Sequence, residues 1–274
     1  MYSGAHILKA HNVSQQTLNF CQQKLALLGI NTPLISSNKI NVGLNNQCFR
    51  VATQNEGTHL LKVFRQSNAK QTICLESALS KHNICPSIHA FDSKIGLIVY
   101  RYIDSQSYQQ PKHWLSLIEK LKSLHRLNIS QPKVVLDELL NSFNQLAQFE
   151  RYKSKLTQCL VEINSLPKQL ALCHNDLVIE NILFDEQQVW LIDFEFAAIN
   201  DVYFDLAAVS TSLELDFAAK QSLLKDYFEV RELKQWQLKK LTLFELVYNH
   251  ICYFWYLQHG YSEQAKKLEP LLKG

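Results

Sequence analysis

Four polar residues near the middle of the chain have the types and spacing that phosphoryl transfer requires. His174, Asp176 and Asn181 stand as H-x-D-x-x-x-x-N, and Asp193 follows in D-F-E after the apolar run 189–192. A carboxylate that opens such a loop can orient and deprotonate a substrate hydroxyl, and a carboxamide that closes it can bind Mg²⁺ between the phosphates of ATP. The segment therefore predicts Asp176 as the catalytic base and Asn181 and Asp193 as metal ligands.

Two interpretations of this segment are open. Protein kinases carry the same loop, followed by D-F-G, so the order of base, metal ligand, strand and metal ligand is that of a known phosphoryl-transfer site. The alternative is that Asp176 and Asn181 cap turns while Asp193 ends a strand. The short apolar strand that precedes Asp193 favours the catalytic interpretation.

A strand lysine and a helix glutamate supply a second predicted pair. Lys62 lies between apolar residues in HLLKVF, and Glu76 follows in the helical pattern of residues 68–82. In kinase-like folds a lysine in this setting contacts the α and β phosphates of ATP. Glu76 is expected to hold Lys62 in place as an ion pair. A lone lysine in a strand is otherwise more often a solvent-facing residue. The predicted catalytic loop further along the chain favours the functional interpretation of Lys62.

The predicted phosphate loop is poor in glycine. The segment NVGLNNQCFRV, residues 41–51, contains Gly43 as its single glycine, and the G-x-G-x-x-G of protein kinases is absent from it. A backbone cradle for the phosphates therefore depends on Gly43 and on the polar residues Asn45, Asn46 and Gln47.

This loop and the catalytic segment carry a family resemblance. The run GLNN, residues 43–46, resembles the G-L-T-N of choline and ethanolamine kinases, within the aminoglycoside phosphotransferase and choline kinase superfamily. HNDLVIENILF, residues 174–184, is similar to the catalytic loop of bacterial choline kinases, and residues 191–207 resemble their L-I-D-x-E-Y and F-D-L stretch. Bacterial thiamine kinases share this plan, and the Trp-bearing C-terminal helix resembles theirs. The resemblance covers roughly residues 30–274, with Asn45 in place of the usual Thr and Phe196 in place of the usual Tyr.

The resemblance implies an α+β, bilobal protein-kinase-like fold, with a small β-rich N-terminal lobe and a larger, mostly helical C-terminal lobe. The predicted nucleotide-binding lobe spans residues 1–102 and the catalytic and acceptor-binding lobe residues 103–274. Tyr100, Arg101 and Tyr102 would form the hinge, whose backbone groups could bind adenine. Asp205, in F-D-L, would support the catalytic loop through backbone N–H groups. The sequence pattern predicts helices over 13–29 and 68–82, and strands over 34–41, 47–53, 58–64, 88–92 and 96–102.

Composition and charge narrow the class of protein. The chain has 274 residues, 47% of them hydrophobic, and a net charge of +3. That size permits two lobes, and that charge is too small to predict a nucleic-acid or membrane partner. An N-terminal leader pattern is absent, and the seven cysteines include no C-x-x-C pair. The expectation is a cytoplasmic protein with reduced thiols and no zinc site.

Two features predict a positively charged acceptor. Residues 169–219 contain ten acidic residues and no lysine or arginine, which predicts a negative potential around the site. Glu195 follows Asp193 by two residues, so on an extended segment both side chains would share one face, where Glu195 would assist a second Mg²⁺ or contact a substrate cation. Trp255, in an aromatic-rich stretch, is the first choice for an acceptor contact, since ring faces attract cations. The alternative for each of these aromatic residues is ordinary core packing.

The combined prediction is an ATP- and Mg²⁺-dependent kinase that phosphorylates the hydroxyl of a small cationic alcohol, choline-like, ethanolamine-like or thiamine-like. An aminoglycoside phosphotransferase is the second enzyme candidate, because acidic pockets suit those acceptors too. A catalytically inactive nucleotide-binding scaffold is disfavoured because no predicted base or metal ligand is missing. The sequence leaves the acceptor and the oligomeric state open. His125, beside an apolar stripe, is expected to be a packed structural histidine.

Overall fold

The fold divides into two compact units. The computed structural model describes residues 14–40, 46–54, 57–65, 69–186 and 188–273. One unit comprises Met1–Lys120 and Glu180–Glu195, and the other comprises Leu121–Ile179 and Phe196–Gly274. The chain therefore enters the first unit a second time, for residues 180–195, between two segments of the second unit.

The first unit is built on a five-stranded antiparallel sheet with the strand order β1-β2-β3-β5-β4. Its strands are β1 Leu34–Ile40, β2 Gln47–Thr53, β3 Gly57–Val63, β4 Ile88–Asp92 and β5 Leu97–Arg101. Its helices are α1 Gln15–Leu27, α2 Ala69–Lys81 and the first part of α3 Trp114–His125. The returning segment adds the hairpin of β7 Ile182–Phe184 and β8 Val189–Leu191.

The alternation of side chains along β3 and β5 positions Lys62. Leu61 and Val99 are buried in the cluster that contains Cys21 and Leu25 of α1. Side chains next to them on each strand project to the opposite face of the sheet. Tyr100 packs there with Ala69 and Ile73 of α2. Lys62 follows Leu61, so it projects to the α2 face, which also carries Glu76.

The second unit is mostly helical. Its helices are α4 Leu136–Asn141, α5 Ala147–Ser165, α6 Tyr203–Ser212, α7 Phe217–Phe228, α8 Gln235–Gln258 and α9 Ser262–Leu268, together with the end of α3. The longest, α8, packs against α5, α6, α7 and α9, and its Phe244, Val247 and Phe254 are fully buried. A two-stranded antiparallel sheet joins β6 Leu170–Cys173 to β9 Ala198–Asp201. None of the described helices is both long and apolar enough to span a membrane.

One buried carboxylate fixes the turn that follows β6. Asp205, on α6, is fully buried and accepts the backbone N–H groups of His174 and Asn175, each at 2.8 Å. Its Oδ2 also lies 3.0 Å from Nε2 of His125. Asn175 adopts a left-handed backbone conformation with φ 64°, which asparagine tolerates better than most residues. The support role that the resemblance implied for Asp205 is confirmed, and His125 is part of it.

The surroundings of Asp205 keep it ionised. Burial by itself raises the pKa of this carboxyl, but the hydrogen bond from His125, the electrostatic effects of both histidines and the N–H of His174 outweigh burial. The net result is a pKa below the ordinary value of 3.8. A buried charge is tolerated only where hydrogen bonds replace its lost hydration, and Asp205 meets that condition.

The fold class predicted from the sequence is confirmed: the first unit contains the antiparallel sheet and the second is helical. Each predicted strand and helix boundary that can be compared lies within two residues of the observed one. The predicted division after residue 102 differs from the two observed units, because the first unit also includes residues 103–120 and 180–195. As a functional division it stays a prediction. All seven cysteines are free.

We predict that Asp205→Asn lowers the free energy of unfolding by about 2–5 kcal/mol at pH 7, because the variant leaves a buried N–H without an acceptor and His125 without its partner. A carboxyl whose pKa is lowered by folding contributes stability above its ordinary value, and that stability is lost as pH falls through the folded pKa. The difference between wild type and variant should therefore shrink as the pH falls below about 3.8.

Urea titrations at several pH values measure this difference. The matched control is Asp216→Asn, because exposed Asp216 caps the N-terminus of α7 and asparagine caps as well as aspartate. The control should stay within about 0.5 kcal/mol of wild type. A pH-independent difference for Asp205→Asn would show that the charge of Asp205 is not what stabilises the turn.

Candidate active site

In the first unit, the predicted site residues lie around an ion pair between Lys62 and Asp193. Nζ of Lys62 lies 2.8 Å from Oδ1 of Asp193 and 4.0 Å from Oε1 of Glu195. The Lys62 side chain is 7% exposed, whereas that of Asp193 is 33% exposed. Burial lowers the pKa of Lys62, but the negative charges of Glu76, Asp193 and Glu195 outweigh it and the net pKa is raised. Lys62 is therefore a buried, permanent cation beside a partly accessible carboxylate.

The predicted ion pair between Lys62 and Glu76 is wrong. Among the described residues, the carboxylate partners of Lys62 are Asp193 and Glu195. Glu76 is buried on α2 and accepts a short hydrogen bond from the hydroxyl of Tyr100 and another, at 3.3 Å, from the backbone N–H of Phe194. Glu76 therefore holds the backbone next to Asp193, and it acts on Lys62 only through its charge.

Burial raises the pKa of Glu76, and the opposing effects of Lys62 and of the Tyr100 hydrogen bond only partly offset it. Burial is the main cause, and an excess of acid adds to it, since the charge of Asp193 also raises this pKa. One buried lysine faces three carboxyl groups, and each ionised carboxylate makes ionisation of the next more costly. A divalent cation at this position would relieve that excess.

Asp193 has an unusual backbone conformation that the sequence did not predict. Its φ is 69°, in the left-handed region, and the next residues form a short 3₁₀-helix, Phe194–Phe196. The premise of an extended segment was therefore wrong. Asp193 and Glu195 nevertheless both approach Lys62, because the tight turn brings their carboxylates to the same cation.

Glu195 is held from a second direction by the predicted phosphate loop. Nδ2 of Asn46 donates a short hydrogen bond to Oε1 of Glu195, and Oδ1 of Asn46 accepts the backbone N–H of Arg65 at 3.3 Å. The structure thus brings Asn46, Lys62, Asp193 and Glu195 together. Gly43 lies outside the described residues. The nucleotide role of Asn46 and the substrate role of Glu195 stay predictions.

Tyr100 and Tyr102, the predicted adenine-binding hinge, lie at the end of the sheet. Tyr100 is paired with Leu60 on one side of β5 and with Ile88 on the other. The backbone N–H of Tyr102 donates to the carbonyl oxygen of Thr58 at 3.3 Å. That N–H is therefore already hydrogen-bonded within the first unit. The adenine-binding role of the two tyrosines stays a prediction.

The two predicted metal ligands are joined through the backbone. Asn181 ends a 3₁₀-helix, Ile179–Asn181, and its carbonyl oxygen accepts the N–H of Ile192 at 3.0 Å. Ile192 immediately precedes Asp193, so the hairpin of β7 and β8 fixes Asn181 relative to Asp193. A carboxamide and a carboxylate are the hard oxygen ligands that Mg²⁺ prefers, and the surplus of acid around Lys62 favours a cation. These residues fit a magnesium ion.

The predicted base, Asp176, belongs to the second unit. It follows the turn that Asp205 fixes, and its backbone N–H donates to Nδ1 of His174 at 3.3 Å. Asn175 strengthens the turn, since its side chain donates to the carbonyl oxygen of Phe196 at 3.0 Å and accepts from Nδ2 of Asn200 at 2.8 Å. The sequence analysis did not predict Asn175 or Asn200, and it predicted His125 only as a packed structural histidine. Of these residues, only Asn175 had a signal in the sequence, since asparagine is typical of turns.

Helix α8 carries a stripe of side chains, two of which, Tyr248 and Cys252, are affected by the charge of Asp176. The negative charge of Asp176 contributes to raising the pKa of both Tyr248 and Cys252, although burial is the main cause, and the Cys252 thiol reaches about 12. Residues 248, 252, 255 and 259 share a helix face at the α-helical repeat. Trp255 and His259 continue the stripe as stacked rings, with centroids 4.1 Å apart. Trp255 is half-buried, and its acceptor role stays a prediction.

The chain is similar in sequence and in fold to several known proteins. Protein LicA of Haemophilus influenzae is 29% identical over 152 residues, which are 50% of this chain and 57% of LicA. The chain thus spans about half the length of the curated relatives it matches. A choline/ethanolamine kinase family protein from Mesorhizobium loti has a similar fold, with a TM-score of 0.77 at 19% identity over 93% of each chain.

The choline kinase LicA from Streptococcus pneumoniae also has this fold, with a TM-score of 0.77 at 18% identity over 93% of this chain and 98% of its own. LicA has also been solved in complex with AMP. Residues 37–237, well over half of the chain, match the model of the phosphotransferase enzyme family. The resemblance to the aminoglycoside phosphotransferase and choline kinase superfamily is therefore confirmed, and this chain belongs to the phosphotransferase enzyme family, APH.

Proposed function

We propose that the protein is a kinase that transfers the γ-phosphoryl group of ATP to the hydroxyl of a small cationic alcohol, choline-like or ethanolamine-like, with a thiamine-like acceptor as the third member of the class. The observation that carries the proposal is the buried ion pair between Lys62 and Asp193. It places a permanent cation for phosphate oxygens beside a carboxylate that can bind metal.

Each residue then has a defined task. Lys62 holds phosphate oxygens. Asn181 and Asp193 would hold Mg²⁺, which would neutralise charge on the phosphates when bound. Asp176 accepts the proton of the acceptor hydroxyl as the oxygen forms its bond to the γ-phosphorus and the bond to the β-phosphate oxygen breaks. Glu76 positions Asp193 through the N–H of Phe194. Positioning and charge neutralisation supply most of the rate acceleration in such reactions.

Not all of the ten acidic residues in the range 169–219 support a preference for a cationic acceptor. Several carboxylates of residues 169–219 already have partners: Asp193 pairs with Lys62, Asp201 with Lys240, and Asp205 with His125 and two backbone N–H groups. Asp185 accepts from Trp190, and Asp216 caps α7. The support for a cationic acceptor is therefore local: the carboxylate of Asp176, and the aromatic stripe of α8, whose Tyr248 is affected by the charge of that carboxylate.

The proposal is tested by measuring ADP formation from Mg-ATP with choline, ethanolamine, thiamine and an aminoglycoside as acceptors. We expect one of the first three to support turnover with the highest kcat/KM. Asp176→Asn should lower kcat by about a thousandfold or more while the Kd of ATP changes little, because the base acts in the transition state. A best rate with the aminoglycoside, or a variant that retains a tenth of the rate, would refute the assignment.

A second prediction concerns the metal. Asp193→Ala removes a charged ligand and the partner of Lys62, so turnover should fall below about a thousandth and the Mg²⁺ dependence of nucleotide binding should disappear. Titration of nucleotide with and without Mg²⁺ measures this.

The control for the metal prediction is Glu186→Gln in the exposed turn between β7 and β8. Asp185 is unsuitable as a control, because it accepts the backbone N–H of Gln188 and the indole N–H of Trp190, both at 2.8 Å. If Asp193→Ala and Glu186→Gln have equal effects, the metal site lies elsewhere.

A third prediction concerns the acceptor. A ring face contributes about 0.5–2 kcal/mol to binding a desolvated cation, so Trp255→Ala should raise the KM of the acceptor about twofold to thirtyfold with little change in the KM of ATP. Phe217→Ala, a truncation of an aromatic ring that is 68% exposed, is the control and should leave both constants unchanged.

A neutral isostere, in which carbon replaces the quaternary nitrogen, tests the same point without a mutation. It should be a poor substrate for the wild-type protein. Equal phosphorylation of the isostere and the cation, or loss of stability alone in Trp255→Ala, would make Trp255 a core residue and refute the cationic class.

A further inference from the structure

The second unit contains a surface cleft that the proposed reaction does not use. Its volume is about 290 Å³, and it lies among the end of α3, strand β6 and the end of α7. Small-molecule sites in proteins begin at about 300 Å³, so the cleft suits a ligand of few atoms. The residues that matter for its chemistry are Lys122, His125, Arg126, Tyr227 and Phe228.

Two of the side chains that line the cleft are cationic. Lys122 and Arg126 line it, and no carboxylate does. The Lys122 side chain is buried and makes a short ion pair with Glu229, whose own side chain is 65% exposed. Exposed Arg126 makes no ion pair within the part of the chain that the structure describes. Such a cleft favours an anion, and arginine binds phosphate oxygens through two parallel hydrogen bonds.

One further observation concerns the rest of the ligand. The aromatic rings of Tyr227 and Phe228 supply an apolar wall, with centroids 4.8 Å apart. An organic substituent on a phosphate suits these rings. Together these features describe a small phosphate monoester rather than a bare anion.

The cleft is connected to the catalytic turn by a chain of hydrogen bonds. The hydroxyl of Tyr227 lies 2.7 Å from Nδ1 of His125, whose Nε2 lies 3.0 Å from Asp205. Asp205 in turn accepts the N–H groups of His174 and Asn175, next to Asp176. A ligand in contact with Tyr227 and His125 is therefore three hydrogen bonds from the turn that holds the base.

We propose that this cleft is a second ligand site, which binds a small phosphate monoester through Arg126 and Lys122 and stiffens the catalytic turn through Tyr227, His125 and Asp205. The reaction proposed above yields a product of this chemical class. Binding at the cleft is independent of that reaction, because no residue of the cleft belongs to the proposed catalytic set.

Binding is tested by calorimetric titration of the full chain with ethyl phosphate and with inorganic phosphate. We expect Arg126→Gln to raise the Kd of ethyl phosphate at least about tenfold, as loss of a charge-assisted contact requires. Lys153→Gln, which removes the same charge from an exposed position on α5, should change it less than about twofold. An unchanged Kd in Arg126→Gln would refute the site, and inorganic phosphate that binds as tightly as ethyl phosphate would refute the monoester.

The connection is tested by hydrogen exchange of the backbone amides of His174 and Asn175. Ethyl phosphate should slow their exchange in the wild type and not in Tyr227→Phe, which keeps the ring but loses the hydrogen bond to His125. No slowing in the wild type, or equal slowing in Tyr227→Phe, would refute the connection. Neither experiment needs turnover, so both remain decisive even if the proposed kinase activity is absent.

Discussion

The buried carboxylate of Asp205 is the constraint on which the catalytic turn depends. A charge with no exposure to water is stable only if donors surround it, and Asp205 has two backbone N–H groups and the imidazole of His125. The same bonds force the backbone at Asn175 into a left-handed conformation that few residues adopt readily. The position of Asp176 is therefore fixed by a residue 29 positions later in the chain. The position of Asp176, the proposed base, is set by α6 and not by the sequence of the loop alone.

In the first unit, carboxyl groups outnumber the single buried lysine that they surround. Lys62 is a single buried cation that faces Asp193, Glu195 and Glu76. Burial, with a smaller contribution from the charge of Asp193, raises the pKa of Glu76. Tyr100 and the N–H of Phe194 satisfy Glu76 by hydrogen bonds instead of by ion pairing. The arrangement leaves Asp193 partly exposed and short of positive charge. A site with that balance attracts metal cations and the phosphates they neutralise, which agrees with the membership of the chain in a phosphotransferase family.

The distribution of acids shows why charge counted along a sequence overstates charge in a structure. Ten acids stand without a lysine or arginine between residues 169 and 219, yet several are neutralised by residues outside that range. Lys240, fully buried on α8, lies 2.6 Å from Asp201 and also contacts the ring of Tyr203. Such a pair supports the end of β9 and contributes nothing to the potential at an acceptor. Only acids that keep access to the ligand determine its charge, and burial decides which they are.

The sequence by itself determined the chemistry and the order of the elements. Residues 174–193 indicated phosphoryl transfer because spacing along one short segment is a local property. The pattern of apolar residues located β3, which carries Lys62, and β5. Local patterns predict local structure well, since a strand or helix is specified by its own residues.

Only the tertiary structure decided which residues meet. Lys62 and Asp193 are 131 positions apart, and His125 and Asp205 are 80 apart, so no periodicity links them. The partner of Lys62 was predicted as Glu76, and the left-handed turn at Asp193 was not foreseen at all. Both depend on how α2 and the hairpin of β7 and β8 pack in the first unit. The free energy of a contact depends on distance and burial, which arise from packing of the whole chain, and a linear sequence does not display either quantity.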